Sequence, residues 1–406
     1  MQVFHRVFTS KLCQCIAGVA LTFGFNSAAV AEDLVVGVLL PMTGYLGPIG
    51  VDQRRGIELA AKHHPKVKGM DLKVIFEDTQ TKADIALMKA QKLVLQDKAK
   101  VLAGLTASSD TLMVAGQAAR LNVPMVTFYA QVNQITGTAC NKMLFRTSPY
   151  DAMVIKATAS LMKDREDLRA KKWFVVYHDI LWGRDNKAAF AAIPGVKIVG
   201  EAGRAPGLAD WASMIAQIQA SNADGIYLAM GTGDEMPAFV RQARDFGLKQ
   251  VILAPVGMPD SMLQAVAEGG VGMVGAGQLA TWTYESASPD LQQFNKEYFD
   301  TYKVAPGAGA IEGYIGMTWL VAGLERAKST AANDLVEAFE TTTAKTILGD
   351  LKMRKEDHQA MTNVYRTEAV KLDRPEYGAK VGWKVEKVLR WEDVGTSPTE
   401  TGCKGL

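Results

Sequence analysis

Short apolar runs alternate with helix-period patterns along most of this chain, and that alternation restricts the fold more than any other feature. Near-continuous hydrophobic runs are typical of parallel strands that are covered on both faces. In the first part of the chain they lie at residues 34–40, 72–78, 100–105 and 123–128. Between them, apolar residues stand at helical spacings, as Ile57, Ala60 and Ala61 do. The alternation predicts β-α-β units around a parallel sheet.

The same alternation starts again after residue 170. The second set of predicted strands lies at residues 171–179, 196–201, 224–230 and 250–255. A chain of 406 residues is also too long for one ordinary core, and it fits two domains of roughly 100 to 200 residues each. We therefore predict an α/β fold with two doubly wound parallel-sheet lobes.

The N-terminus has the pattern of an export signal. Arg6 and Lys11 precede an apolar run at residues 12–25, and a small-residue site ends at Ala31. That run is shorter than the roughly 20 residues that span a bilayer, and no later run is longer. We expect a signal peptide over residues 1–31, cleaved after Ala31, and a soluble exported protein.

Charge and cysteine content restrict the partners and the compartment. Without the predicted leader, 43 basic residues stand against 43 acidic ones, and this neutrality argues against nucleic acid or an anionic membrane as partner. Two cysteines, Cys140 and Cys403, remain in a chain bound for an oxidising compartment. We expect them to form a disulfide, and two unrelated thiols are the alternative.

The sequence has no pattern typical of an enzyme or a metal centre. Its histidines and cysteines lack the spacings of a zinc site, and it has no Gly-x-Ser-x-Gly turn. Residues 230–235 follow a predicted strand but lack the third glycine of a dinucleotide loop. The sequence therefore predicts no catalytic residue, no metal and no cofactor.

The remaining candidates are turns at the carboxyl ends of strands, where open α/β sheets bind their ligands. Ser108 and Ser109 follow one predicted strand and precede a helix. Either serine can cap that helix, and the same helix end can hold a carboxylate with its unpaired N–H groups. Spacing alone favours the cap and leaves both interpretations open.

Large aromatic residues occupy two further turns of this kind. Phe128 and Tyr129 directly follow a predicted strand, and Trp182 precedes a glycine in the corresponding turn of the second half. Such residues either pack beneath a loop or close over a ligand.

These segments together resemble the type I periplasmic solute-binding proteins, in particular the leucine/isoleucine/valine-binding group of ABC importers. The matching stretches are VGVLLPMTGYLGPIG (36–50), GLTASSDTL (104–112), YHDILWG (177–183) and FVRQARDFGL (239–248). The resemblance covers nearly all of the mature chain. It implies a monomeric periplasmic clamp that catalyses nothing and traps a small solute between two lobes for a membrane permease.

The resemblance also implies three crossings between the lobes, which we place near residues 147–150, 280–283 and 344–348. Lobe 1 would then comprise residues 32–148 and 282–345, and lobe 2 residues 149–281 and 346–376. Residues 377–406 extend beyond the matching pattern, and we expect them to pack back on lobe 1.

By position, the resemblance gives Ser108 the ligand carboxylate, which it would hold through its hydroxyl and its N–H group. Ala130 and Gln131 stand where the family supplies backbone groups and a hydroxyl, and Trp182 stands where it places an aromatic ring over the ligand. The other site residues that the resemblance implies are Ser109, Phe128, Tyr129, Thr232, Gly233, Val256 and Ile49.

Val256 is the main departure from the family pattern. It stands where amino-acid binders carry a glutamate that pairs with the ligand's ammonium, and burying an ammonium without that partner costs on the order of several kcal/mol. The expected ligand is a carboxylate without an α-ammonium: first an aromatic acid stacked by Tyr129 and Trp182, then an aliphatic or 2-oxo acid. A branched-chain amino acid is the third expectation, because Glu235 or Asp234 could reach its ammonium.

Two other classes of protein could use the same kind of cleft. An exported enzyme would need a nucleophile, a metal or an acid–base pair, and we find none of these in the sequence. A sensor module would need a membrane segment or an attached output domain, and we recognise neither.

Overall fold

The structure, a computed structural model, describes residues 33–231, 233–256, 258, 260–277, 288–374 and 379–406, so the predicted leader and its cleavage site lie outside it. The strands are β1 (Leu34–Leu40), β2 (Lys66–Val67), β3 (Met70–Asp78), β4 (Val101–Gly104), β5 (Met125–Thr127), β6 (Leu144–Arg146), β7 (Lys172–His178), β8 (Lys197–Arg204), β9 (Gly225–Ala229), β10 (Val251–Ala254), β11 (Val274–Gly277), β12 (Thr343–Thr346), β13 (Gly349–Met353), β14 (Ala360–Met361), β15 (Val364–Arg374) and β16 (Ala379–Leu389). The helices are α1 (Gly47–His63), α2 (Ala83–Leu95), α3 (Ser108–Ala115), α4 (Ala118–Leu121), α5 (Asp151–Asp164), α6 (Glu166–Arg169), α7 (Leu181–Ala191), α8 (Ala212–Ala220), α9 (Glu235–Asp245), α10 (Asp260–Val266), α11 (Pro289–Tyr302), α12 (Ala308–Arg326), α13 (Ala332–Glu340), α14 (Trp391–Val394) and α15 (Pro398–Thr401). None of the helices in these ranges combines the length and the apolarity needed to cross a membrane.

The first lobe is built on a sheet with the strand order β2-β3-β1-β4-β5-β6. Strand β1 runs parallel to β3 and β4, and β5 runs parallel to β4 and β6. All residues of β1 are buried, because apolar clusters cover both faces of the sheet. The carboxyl ends of β1, β3, β4 and β5 therefore lie at one edge of this lobe.

The second lobe is built on a sheet with the strand order β16-β15-β11-β10-β9-β7-β8. Strands β7 to β11 are parallel, while β15 and β16 add an antiparallel edge. Helices α7 and α9 begin a few residues after β7 and β9 end, as β-α-β units require. The predicted fold class, two α/β lobes with parallel sheets, is confirmed.

The chain crosses between the lobes at places that differ partly from the prediction. One crossing runs through residues 147–150, between β6 and α5, as expected. The second lies between β11 and α11, and its predicted position at residues 280–283 is outside the described residues. The third was predicted at residues 344–348 but lies at residues 362–363, between β14 and β15.

The assignment of residues 346–361 to lobe 2 is therefore wrong. Strands β12, β13 and β14 form a small antiparallel sheet, and Gln359 bridges in parallel to Arg146 at the end of β6. Leu351 and Met353 are buried in the same apolar cluster as Phe145, which belongs to lobe 1. The pairing of β12 with β13 keeps this segment on the first lobe until β14 ends.

The C-terminal segment divides between the lobes, although we expected all of residues 377–406 to lie on lobe 1. Strand β16 pairs with β15 and is the edge strand of the lobe 2 sheet, because its apolar residues, Val381 and Trp383 among them, complete the core of that lobe. The tail beyond β16 returns to lobe 1. There Cys403 forms the expected disulfide with Cys140, with 5.7 Å between the two Cα atoms.

Candidate ligand-binding site

A cavity of about 240 Å³ lies between the two lobes, at the carboxyl ends of their parallel strands. Lobe 1 lines it with residues that follow β1, β3, β4 and β5, and lobe 2 with residues that follow β7, β9 and β10. The lining residues are Tyr45, Leu46, Thr81, Thr106, Ala107, Ser108, Ser109, Tyr129, Gln131, Ile180, Leu181, Trp182, Gly231 and Val256.

Helix α3 points its N-terminus at this cavity. Ala107 is its N-cap residue and no side chain caps it, so Ser108 is the first helical residue and the predicted serine cap is absent. The first N–H groups of a helix have no intrahelical acceptor, and they carry the positive end of the helix dipole. The hydroxyl of Ser108 accepts only a long hydrogen bond, 3.5 Å, from the N–H of Val132, and its proton is left for a ligand.

The turn after β5 adds a second polar group to the same part of the cavity. Gln131 is buried and lines the cavity, and its side-chain Nε2 has no hydrogen-bond partner among the residues that the structure describes. The turn itself is held from behind by Arg146, whose Nη1 donates to the carbonyls of Ala130 (3.3 Å) and Val132 (2.8 Å). A buried amide donor without an acceptor is costly, and a ligand oxygen would satisfy it.

Three aromatic rings, those of Tyr45, Tyr129 and Trp182, also line the cavity. The indole Nε1 of Trp182 donates to Oδ1 of Asp151 at 2.8 Å, which fixes the orientation of the ring. Burial raises the pKa of the Asp151 carboxyl to about 7, although the hydrogen bond from Trp182 opposes this shift. The cavity is therefore walled by aromatic surface that can pack on a planar ligand.

The wall from lobe 2 is mainly apolar. Ile180, Leu181 and Val256 line it, and Gly231 contributes backbone. Among the described lining residues none is acidic or basic.

The two carboxylates that could have reached an ammonium point elsewhere. Glu235 lies behind the lining, where its Oε2 is 3.2 Å from Nε2 of His178 and its Oε1 accepts from the N–H of Gly207 at 2.5 Å. These contacts hold the pKa of Glu235 below its usual value against the opposing effect of burial. Asp234 is exposed and is not part of the lining.

The two lobes touch each other at the mouth of the cavity. The ring of Tyr45 meets His178 of lobe 2 edge-on, with 6.0 Å between ring centroids, and a Cβ atom at Gly233 would overlap the backbone oxygen of Tyr45. Beside the cavity, Nε2 of Gln134 donates to Asp185 across the lobes at 3.0 Å. The cavity is thus enclosed by contacts that form only while the lobes are close together.

The predicted site residues divide into two groups. Those that line the cavity are Ser108, Ser109, Tyr129, Gln131, Trp182 and Val256; those that do not are Ile49, Phe128, Ala130 and Gly233. Thr232 lies outside the described residues.

Packing explains each residue that the structure places away from the cavity. Phe128 is fully buried in the lobe 1 core, where a Cβ atom at Gly316 of α12 would overlap its ring. Ile49 is fully buried within α1. The N–H of Ala130 donates to the Thr127 hydroxyl at 3.1 Å and its carbonyl accepts from Arg146, so neither backbone group is left for a ligand. Gly233 instead packs directly against the backbone of Tyr45.

Several lining residues are missing from the prediction: Tyr45, Leu46, Thr81, Thr106, Ala107, Ile180, Leu181 and Gly231. All of them follow the carboxyl end of a strand or lie beside a predicted site residue. The strand-end rule, applied to every turn, would have found them. Within the described ranges, no group of three or more histidines, cysteines or acidic residues is placed to hold a metal ion.

Comparison with known proteins places this architecture in a family. A family model described as periplasmic binding protein matches residues 33–373. Over 355 residues the chain is 26% identical to the leucine-, isoleucine-, valine-, threonine-, and alanine-binding protein of Pseudomonas aeruginosa. This alignment covers 84% of this chain and 91% of the relative.

Solved structures share the fold. A solute binding protein of an ABC transporter from R. palustris, in complex with benzoate, superimposes with a TM-score of 0.80 at 22% identity, covering 92% of this chain and 100% of that one. A leucine binding protein from Thermotoga maritima superimposes with a TM-score of 0.76 at 22% identity, covering 89% of this chain and 99% of that one. The chain therefore belongs to the periplasmic binding protein family, the solute-binding proteins of ABC-type transporters.

Proposed function

We propose that this protein captures a small carboxylate without an α-ammonium, first of all an aromatic acid, and delivers it to the membrane permease of an ABC importer. It would act in the periplasm, as a monomer, after removal of its leader. The observation that carries this proposal is the composition of the cavity wall. Donors stand at one place, aromatic and aliphatic surface surrounds them, and no acidic side chain is among the described lining residues.

The donors fit a carboxylate. The N-terminus of α3 offers unpaired N–H groups and a partial positive charge, and Ser108 adds a hydroxyl. Gln131 adds its Nε2, from which no described residue of the protein accepts a hydrogen bond. Hydrogen bonds to a charged group are worth about 1.5 to 3 kcal/mol each, so these groups can hold an anion without a basic side chain.

The rest of the wall disfavours an ammonium. Val256 places an aliphatic side chain where amino-acid binders of this family carry a glutamate, and Glu235 is turned toward His178 and Gly207. An ammonium buried here would lose its hydration without gaining a counter-charge, at a cost of roughly several kcal/mol. That loss would remove most of the affinity for an ordinary amino acid.

The aromatic walls support an aromatic acid over an aliphatic one. Tyr45, Tyr129 and Trp182 offer faces or edges to a planar ring, an interaction worth about 0.5 to 1.5 kcal/mol per pair beyond the area it buries. The benzoate complex of the R. palustris protein shows that the same fold can hold a ligand of this class.

Two other ligand classes remain as alternatives. An aliphatic or 2-oxo acid would use the same donors but would gain less from the aromatic rings. The alternative of a branched-chain amino acid is supported by the similarity to the Pseudomonas aeruginosa relative, whose name includes leucine, isoleucine and valine. The described cavity wall has no partner for its ammonium.

A thermal-shift screen of the mature protein against aromatic acids, aliphatic acids and amino acids tests the proposal. A ligand at a hundred times its dissociation constant adds about 2.7 kcal/mol to the free energy of unfolding, which raises the melting temperature measurably. We expect benzoate-like acids to give the largest shift. Stabilisation by leucine, with none by any amine-free acid, would overturn the assignment of the ligand.

A further inference from the structure

The tail beyond β16 is fastened first to lobe 2. Helix α14 packs on α5, a helix of the second lobe, and Nζ of Lys156 on α5 donates to the carbonyl of Gly395 at 2.8 Å. Up to Gly395 the tail therefore packs chiefly on lobe 2, and it meets lobe 1 where the guanidinium of Arg354 lies over the ring of Trp391, 4.9 Å from the ring centroid.

The very next residue bonds to lobe 1. The carbonyl of Thr396 accepts from Nη1 of Arg354 at 2.5 Å, and Arg354 directly follows β13 in the small sheet of the first lobe. The N–H of Thr396 donates to the hydroxyl of Tyr150 at 3.1 Å. Tyr150 is fully buried at the end of the first crossing segment, so this contact joins the tail to the hinge.

The last part of the tail is joined to lobe 1 both by packing and covalently. Helix α15 packs on the 3-10 turn Asn133–Thr136, which follows the cavity-lining turn of lobe 1. A Cβ atom at Gly137 would overlap the carbonyl of Thr401, so the two backbones are in direct contact. The disulfide between Cys403 and Cys140 then fixes the end of the tail.

We propose that residues 390–403 form a fourth connection between the lobes, closed by the Cys140–Cys403 disulfide, and that this connection sets ligand affinity by limiting how far the empty lobes open. Gly395 and Thr396 are adjacent and bond to opposite lobes, so the connection has almost no slack. One residue extends the chain by at most about 3.6 Å, and a wider rotation would have to break one of these bonds.

The effect on affinity follows from population arithmetic. A ligand that touches both lobes binds the closed arrangement, and its apparent affinity falls in proportion to the fraction of molecules that are ready to close. A tail that restricts the open ensemble raises that fraction. Only this effect on affinity rests on the proposed function, because the opening of the empty protein can be measured without any ligand.

The test uses the mature full-length protein and small-angle X-ray scattering without ligand. In one variant about six glycine and serine residues are inserted between Gly395 and Thr396, which keeps the disulfide but gives the connection slack. A second variant, Cys140→Ser with Cys403→Ser, removes the covalent closure. The matched control places the same insertion between Pro194 and Gly195, an exposed loop within lobe 2 that joins nothing across the lobes.

We expect both tail variants to have a larger radius of gyration than the wild type, and the control insertion to leave it unchanged. With benzoate as probe, calorimetry should show affinity about three- to tenfold weaker in the tail variants. If the cysteine variant does not fold, the insertion variant decides the question, because it retains the disulfide. An insertion variant with wild-type dimensions would overturn the proposal. If even the wild type fails to bind benzoate, the proposed ligand is wrong, and the scattering comparison still tests the fourth connection.

Discussion

The two halves of the cavity differ in chemistry although they come from similar α/β lobes. Lobe 1 brings hydrogen-bonding groups, namely the N-terminus of α3, the hydroxyl of Ser108 and the amide of Gln131, together with the rings of Tyr45 and Tyr129. Lobe 2 brings Ile180, Leu181, Trp182 and Val256. In our account, the donors of lobe 1 hold the charge of the ligand, and its apolar part lies between those two rings and the wall of lobe 2.

This difference separates affinity from selectivity. Changes to the donors of lobe 1 should weaken every carboxylate alike, because all carboxylates use the same donors. Changes in lobe 2 should alter which carboxylate is preferred, because its wall contacts the part in which ligands differ. The predictions below test that division, in order of decreasing effect.

The largest effect is expected from Trp182→Ala. Trp182 covers the cavity from lobe 2, packs against an apolar cluster of lobe 1 and donates to Asp151, so its loss removes ring contact and one interlobe contact together. Truncation of a central aromatic contact costs about 2 to 4 kcal/mol of binding free energy, and we expect benzoate affinity to fall by at least about 30-fold in calorimetry. Phe246→Ala removes an exposed aromatic ring of the same lobe and should leave affinity unchanged.

The next largest effect is expected from Val256→Glu, which should reverse the selectivity. A carboxylate at this position would repel an anionic aromatic acid and pair with the ammonium of an amino acid. We expect about 2 kcal/mol to be lost for benzoate and a measurable gain for leucine. In Val256→Gln the new side chain has the size of glutamate but no charge. This variant should bind benzoate more weakly because of its bulk, and its affinity for leucine should not increase. Equal behaviour of the two variants would contradict the role of the charge.

A smaller and uniform effect is expected from Ser108→Ala. The variant loses the hydroxyl but keeps the N–H groups of α3, so every carboxylate ligand should weaken by about 1 to 2 kcal/mol, measured by calorimetry. Ser109→Ala is the matched control, because the Ser109 hydroxyl is already engaged with Asp110 at 3.1 Å. If Ser108→Ala changed the order of preference among carboxylates, the division between the lobes would be wrong.

The last prediction concerns the pH dependence of stability rather than ligand affinity, and it is expected from the hinge rather than from either half of the cavity. Glu312 is buried on α12, and within the described part of the chain its Oε2 has no hydrogen-bond partner. It lines a small cavity with Pro149 and Gly277 where the lobes meet. Burial raises the pKa of its carboxyl to about 8.

The sign of the pH effect follows from that shift. Between the unfolded pKa of about 4.3 and about 8, the folded protein keeps a proton that the unfolded chain releases. The free energy of unfolding therefore falls as pH rises through this window, by up to about 1.4 kcal/mol per pH unit. Glu312→Gln should remove this slope, so that in denaturant titrations the free energy of unfolding falls by about 1 kcal/mol less per pH unit across the window than in the wild type. Glu325→Gln, exposed on the same helix, should leave the slope unchanged.

Much of the fold could be predicted from the sequence because its strands are near-continuous apolar runs. The predicted strand at residues 34–40 coincides with β1, and the predicted strand at residues 171–179 is one residue longer at each end than β7. Strands β13 and β14 lie on lobe 1 although we assign them to lobe 2 from the sequence, because nothing local shows which sheet an alternating strand will join. For the same reason the sequence does not show that β16 belongs to lobe 2, because its position depends on pairing with β15 and on the core of that lobe.

The cavity was predictable only in part. Ser108, Tyr129 and Trp182 lie in turns after strands and are candidates by that position, while their role as ligand contacts is implied by the family resemblance. Phe128 follows the same strand as Tyr129 but points into the core against Gly316, because neighbouring residues at a strand end face opposite sides. Tyr45 follows β1 and is accessible to the same strand-end rule, but its contact with His178 depends on the approach of the other lobe, which no local pattern describes.

The most direct test of the central claim is a calorimetric comparison of ligand pairs that differ only in the α-amino group. 3-Phenylpropanoate and phenylalanine form one such pair, and 4-methylpentanoate and leucine form another. Because the described wall offers a carboxylate its donors but offers an ammonium no counter-charge, we predict that the amine-free member of each pair binds at least about 100-fold more tightly. Tighter binding of phenylalanine or leucine than of its amine-free partner would contradict the account.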